Sequence, residues 1–339
     1  MPAYDAFLLV SFGGPEGPGD VLPFLRNVTA GRNIPDSRLE QVAEHYYQFG
    51  GVSPINQQCR DLMAAIEKDF AGAGIDLPVY WGNRNWEPYL ADTVSAMAAD
   101  GVTRALAFAT SAYSSYSSCR QYLDDIDRAR ARVGPGAPEI DKITPYFRHP
   151  GFVDSFVTAT AAAVASLPAA VRDDVDLVFS AHSIPNAMAQ ASGPDGGAYP
   201  AQLAEVAALV AGRVGVTRPW QLAYSSRSGP PSQPWLVPDI NDCLADLARA
   251  GSRAVAVVPV GFVSDHMEVK FDLDVEAAQT ARRLGLPFAR AATPGTAAPF
   301  VGMVTDLVRQ WQAQPHAPGT DGPAGLCSAG CCALSRAAQ

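Results

Sequence analysis

The feature that most constrains the fold is a series of short, continuously apolar segments set between longer amphipathic ones. Eight segments read as strands: Asp5–Phe12, Pro78–Gly82, Arg104–Thr110, Ile140–Thr144, Val175–Ala181, Trp220–Ser225, Arg253–Val260 and Pro287–Ala291. Most are apolar throughout rather than alternating. That is the pattern of strands covered on both faces, as in a parallel sheet. Helical patterns lie between them: Pro54–Phe70, Pro88–Ala99, Tyr116–Arg132, Phe152–Ala165, Ala201–Val214, Ile240–Ala250, Asp265–Leu284 and Ala297–Gln312. The alternation predicts an α/β fold of two doubly wound, Rossmann-like halves with parallel four-stranded sheets. At 339 residues the chain is long enough for two cores. The break is expected near Tyr146–Pro150, where the proline disfavours helix. The expected division is a first half over 3–147 and a second over 148–296. A C-terminal helix over 297–313 would pack back on the first half, followed by a tail over 314–339. No internal repeat is apparent in the sequence.

The formal net charge is −9 and no basic run is present, which argues against a nucleic-acid partner. An anionic substrate would have to be held by local arginines, not by the field of the whole protein. The apolar run Ala6–Phe12 is too short to span a bilayer and has no basic segment before it, so neither an anchor nor a secretory signal is expected. A cytoplasmic monomer is the expectation. The six cysteines do not make a disulfide framework in a chain of this size. Cys59 and Cys243 fall inside helical patterns and read as core residues. Cys327, Cys331 and Cys332 crowd into a Pro-, Gly- and Ala-rich tail whose composition otherwise suggests disorder.

In doubly wound sheets, ligands bind beyond the carboxyl ends of the strands. Five loops there should share one cleft: Gly13-Gly14-Pro15, Asn83–Trp86, Ser111–Tyr116, His182–Pro185 and Gly261–Glu268. Gly13-Gly14 lacks the third glycine and the acidic residue of a dinucleotide site. His182 can be a satisfied strand-end histidine or a functional base. For His266 the structural reading is stronger, with a role in orienting Glu268 or the backbone. Glu268, Asp272 and Glu276 recur every four residues and so share one helix face. Such a row is either a solvated acidic face or, beside a cleft, a route for a divalent cation or protons. Carboxylate with imidazole suits a borderline ion such as Fe(II), and open positions suit a metal that is handed on.

These segments together resemble the ferrochelatases. The matching stretches are Leu9–Pro15, Tyr46 with Gly50–Ile55, Ser180–Pro185 and Gly261–Glu268. The resemblance implies two Rossmann-like halves facing a porphyrin cleft and insertion of Fe(II) into a porphyrin in heme biosynthesis. It assigns His182 as metal ligand and acceptor of pyrrole protons, with Glu268 as its acidic partner and Asp272 and Glu276 as a relay. Ser53 and Tyr122 match positions that contact the macrocycle in the bacterial branch using coproporphyrin III. Phe12 falls where many relatives carry Tyr or Met over the ring; a phenyl can stack but cannot ligate iron, so Tyr122 becomes the expected axial ligand. Arg38, Tyr46 and Arg120 are expected propionate contacts. Some members carry a [2Fe–2S] cluster on four cysteines, here Cys327, Cys331 and Cys332 with Cys119 as the fourth. Transient handover of the product to a downstream heme-pathway enzyme is a further expectation. The competing readings are a protoporphyrin IX ferrochelatase, a cobalt chelatase, and a non-catalytic porphyrin or heme carrier.

Overall fold

The structure is a computed structural model that describes residues 4–229, 232–313 and 330–333. It contains two four-stranded parallel sheets. The first is built from β1 (Ala6–Ser11), β2 (Val79–Asn83), β3 (Arg104–Ala109) and β4 (Glu139–Lys142), in the order β2-β1-β3-β4. The second is built from β5 (Val175–His182), β6 (Gln221–Ser225), β7 (Ala254–Val258) and β8 (Phe288–Arg290), in the order β6-β5-β7-β8. All eight strands overlap the segments read as strands, though β4 spans Glu139–Lys142 rather than Ile140–Thr144 and carries charged residues at an edge. The central ones, β1, β3 and β7, are buried at every position, as strands covered on both faces must be.

The helices are α1 (Val21–Val28), α2 (Asp36–Tyr47), α3 (Ile55–Ala73), α4 (Leu90–Ala99), α5 (Gln121–Val133), α6 (Pro150–Ser166), α7 (Asn186–Gln190), α8 (Ala198–Val214), α9 (Ile240–Arg249), α10 (Ala278–Arg283) and α11 (Ala298–Ala313). Two π-helical stretches join them, Tyr116–Arg120 ahead of α5 and Glu268–Ala277 ahead of α10. The sequence reads each of these regions as one regular helix; the wider winding has no periodicity signal strong enough to see. The halves repeat one another more closely than the sequence suggests. In each, the strand order is the same, a parallel bridge closes the loop after the second strand (Asn83 with Tyr89, Tyr224 with Asp239), and a π-helix follows the third strand.

One large core runs through both halves, from Phe7 and Phe108 in the first sheet through Phe152 and Phe300 to Phe179 in the second. Helix α11 packs against α3 and α6 together. Between β1 and α3 the chain makes an excursion, α1 and α2, with a small core of its own around Phe24 and Leu39. Its polar, irregular sequence gave no helical expectation. Among the described residues, no helix is long and apolar enough to cross a membrane.

Candidate active site

His182 is the last residue of β5 and points out of the carboxyl end of the sheet. Its backbone carbonyl accepts from the Tyr199 hydroxyl at 2.9 Å, and the next amide, Ser183 N–H, donates to the Ser225 carbonyl. Its Nδ1 lies 3.4 Å from the same Ser225 carbonyl, an oxygen that can only accept. A proton on Nδ1 therefore leaves the Nε2 lone pair free. Nε2 faces Glu268 Oε1 at 3.8 Å, and both side chains are about one-third exposed, at 35% and 39%.

Glu268 opens the π-helix. Its amide N–H donates to His266 Nδ1 at 3.2 Å, and its carboxylate lies 3.9 Å from that ring. Burial depresses the His266 pKa, keeping the imidazole neutral and able to accept, and its ring edge packs on Phe262. His266 thus supports Glu268 from behind. Asp272 comes next along the same face and accepts a hydrogen bond from the Ser226 hydroxyl. Burial, reinforced by Glu268, Glu276 and Asp239, pushes its carboxyl up to about 7 despite that bond. Glu276 is also raised, by burial and then by Asp239. The row therefore runs from an open carboxylate at the cleft to a carboxyl that exchanges protons near neutral pH.

The other walls come from the first half. Phe12, 37% exposed, lies edge-on to Phe24, which in turn contacts Tyr46 and Trp86. Burial and the charges of Glu268 and Asp272 raise the Tyr46 phenol, which puts Tyr46 beside the acidic row. The His45 ring stacks on Phe271 at 3.7 Å, so the α1–α2 excursion reaches across to the π-helix. Ser53 is buried against the glycine turn: a Cβ on Gly14 would stand 2.8 Å from its Oγ, and Gly13 holds a left-handed φ of +81° where a Cβ would strike Asn83. These glycines serve close packing and not a nucleotide.

Tyr122 is 4% exposed, with the Arg84 guanidinium 4.8 Å from its ring centroid, and burial raises its phenol. It lies under the cleft wall rather than on it. Arg84 also reaches the Phe12 ring and is paired with Asp125; the sequence offered no signal for this layer. Arg120 is tied to Asp124 at 2.9 Å, and Arg38 donates to Gln41 at 3.0 Å on the exposed side of α2.

A second cluster lies apart from His182. Cys119, in the first π-helical turn, is buried near Cys331 and Cys332, whose sulfurs are 3.7 Å apart. Cys332 adopts a left-handed φ of 58° and accepts from the Gly193 amide at 3.1 Å. Burial pushes its thiol up to about 12. The Lys142 ammonium, itself buried, donates to Cys119 Sγ at 3.5 Å and to the Ile143 carbonyl at 3.1 Å. Among the described residues no group of three or more His, Cys, Asp or Glu forms a ready metal cage, and Cys327 lies outside them. Cys59 and Cys243 are in the core, each thiol raised by burial to about 11.

The Ferrochelatase family pattern matches residues 4–312. The chain belongs to the ferrochelatase family. Among curated members it is 53% identical to the coproporphyrin III ferrochelatase of Streptomyces coelicolor, covering 97% of this chain and 93% of that one. The Frankia alni coproporphyrin III ferrochelatase is 58% identical over 91% of this chain and 80% of its own. A ferrochelatase of Rhodopirellula baltica is 52% identical over 91% and 87%. Among solved structures, the sirohydrochlorin chelatase SirB of Bacillus subtilis in complex with cobalt superposes with a TM-score of 0.53 at 12% identity, covering 90% of this chain and 94% of that one. DR2241 of Deinococcus radiodurans gives 0.54 at 15% identity over 91% of this chain, which spans 55% of that longer protein. At such identities these two share the chelatase fold alone.

Proposed function

We propose that this enzyme inserts Fe(II) into coproporphyrin III, giving Fe-coproporphyrin III and two protons. The observation that carries the reading is His182 Nε2 facing Glu268 Oε1 at 3.8 Å, both side chains partly exposed at the strand ends. Free porphyrin carries two pyrrole N–H protons that the metal must displace. A neutral imidazole accepts protons near neutral pH. Fe(II) meets Glu268 with coordination positions left open for the pyrrole nitrogens, and the one free lone pair of His182, on Nε2, holds iron or a proton in turn, never both together. Protons taken by His182 pass toward Glu268, then Asp272, whose carboxyl is poised near 7. A ring bent out of plane exposes its nitrogen lone pairs, so walls such as Phe12 and Tyr46 that favour the bent form lower the barrier. Ser53, Arg38 and Arg120 are assigned to the macrocycle's edge. Tyr122 is assigned as the oxygen ligand of product iron.

The substrate assignment is tested by anaerobic turnover with Fe(II) and each porphyrin in parallel. Coproporphyrin III is expected to react at least about tenfold faster in kcat/KM, from contacts to its two extra carboxylates at ~1.5 kcal/mol or more. Equal or better use of protoporphyrin IX would defeat it.

A [2Fe–2S] cluster is assigned to Cys119, Cys331 and Cys332, with Cys327 as the fourth ligand. The buried Cys331 and Cys332 sulfurs 3.7 Å apart, with buried Cys119 in their electrostatic neighbourhood, support it. So does Lys142: a buried ammonium with no carboxylate partner among the described residues calls for an anion, and thiolates are the ones within reach. When bound, the cluster would cross-link the tail to the body. Protein from an iron-replete anaerobic preparation should be red-brown, and Cys332→Ser colourless or nearly so. A colourless wild type under those conditions sinks the assignment.

A further inference from the structure

The π-helix Glu268–Ala277 is ten residues long, whereas such winding is normally confined to single turns. A conformation of that kind persists when its surroundings over-determine it. The structure shows what does so. Arg290, at the end of β8, reaches two carboxylates at once. Its Nη1 and Nη2 donate to the two oxygens of Asp265, each at 3.2 Å. Its Nε and Nη2 donate to the two oxygens of Asp274 at 2.7 and 3.0 Å. Asp265 precedes the π-helix and Asp274 lies within it, so one guanidinium grips the segment on either side of Glu268.

The remaining valences are filled. Thr293 Oγ1 donates to Asp265 at 3.0 Å, Lys270 Nζ donates to Asp274 at 2.6 Å, and the Asp265 amide donates to Gln58 of α3 at 2.7 Å. The side chains of Arg290, Asp265 and Asp274 are only 14, 18 and 23% exposed. Two carboxylates meet two cations, so this set is formally neutral. The acidic residues of the segment therefore divide: Asp265 and Asp274 pair with cations and anchor it, whereas Glu268, Asp272 and Glu276 have no lysine or arginine partner among the described residues.

We infer that Arg290 is a positioning residue for metal insertion, holding the π-helix so that Glu268 stays opposite His182. The inference rests on Glu268 being the carboxylate that meets iron. Lysine cannot replace the fork, since a point charge cannot engage two carboxylates bidentately.

The test compares Arg290→Lys, Arg290→Gln, Asp274→Asn and Glu268→Gln in the full-length enzyme. Folding is checked by circular dichroism and melting, and kcat and KM are measured separately for Fe(II) and porphyrin. Displacing Glu268 by about 1 Å is expected to cost on the order of a hundredfold in kcat for Arg290→Gln, and about tenfold for Arg290→Lys and Asp274→Asn. KM should rise for Fe(II) and stay unchanged for porphyrin, a split that general loosening would not produce. Arg290→Lys should recover most of the melting temperature but only part of kcat, remaining about tenfold below wild type. Folded variants with wild-type kcat and Fe(II) KM, beside an impaired Glu268→Gln, overturn the clamp alone. An unimpaired Glu268→Gln overturns the reading of Glu268 and the clamp with it. Should Arg290→Gln not fold, the same criteria apply to Arg290→Lys and Asp274→Asn.

Discussion

Replacing His182 with alanine is expected to lower kcat for iron insertion by about 10²–10⁴, the usual contribution of a positioned general base. Porphyrin affinity should change by no more than about threefold, because the imidazole is a small part of a large apolar contact. The backbone around it should hold: the bonds from Tyr199 and Ser183 involve main-chain groups and survive truncation. Absorbance under anaerobic Fe(II) follows insertion, and fluorescence quenching follows binding. A variant retaining more than about a tenth of the rate would remove His182 from the proton path, since loss of the base should cost far more. A variant that inserts iron normally once saturated, but binds porphyrin poorly, would make it a contact residue.

Asp272 gives the second large effect, read in stability. In the folded protein its carboxyl titrates near 7; in the unfolded chain it titrates near the ordinary value of about 3.9. The folded state therefore holds the extra proton between those limits. Its favourable contribution is complete below about pH 4, declines as pH rises, and is gone above 7. Three pH units correspond to ~4 kcal/mol. Asp272→Asn keeps the shape and a partner for Ser226 without ever ionising. With iron removed by chelator, urea unfolding should find the variant more stable than wild type by roughly 2–4 kcal/mol at pH 8, and little different at pH 4. A pH-independent difference would refute the buried titration. Turnover should fall in the same variant, because the amide cannot accept the proton.

Much of this architecture is legible in the sequence, for a definite reason. A strand buried on both faces must be apolar at every position, so β1, β3, β5 and β7 announce themselves, and the site follows from the rule that ligands meet strand ends. That rule singles out the loops carrying His182 and Glu268, whose side chains the structure brings to within 3.8 Å. The α1–α2 excursion was not, because its small core rests on a few residues, Phe24 and Leu39 among them, scattered through polar sequence. The π-winding was missed because Glu268, Asp272 and Glu276 fall on one face under either winding. The Arg290 network was invisible for another reason: Arg290 and Asp265 are 25 residues apart, Gln58 and Asp265 are 207 apart, and they meet only in the folded chain. Tyr122 shows the converse limit. Sequence places it in the right segment, but not its depth beneath Arg84.

The likeness of the two halves bears on how such a cleft could arise. A shared strand order, a shared bridge and a shared wound entry into the helix after the third strand are what duplication of a half-length gene, followed by fusion, leaves behind. Two unfused copies meeting about a two-fold axis would present identical groups to both faces of a ligand. Metal insertion is not symmetric: protons must leave toward one side. Ser11 pairs with the last residue of β2 as His182 pairs with the last residue of β6, so the two occupy corresponding positions. The two halves thus set a hydroxyl at one of these corresponding positions and an imidazole at the other, so the walls of the cleft differ where they would otherwise match.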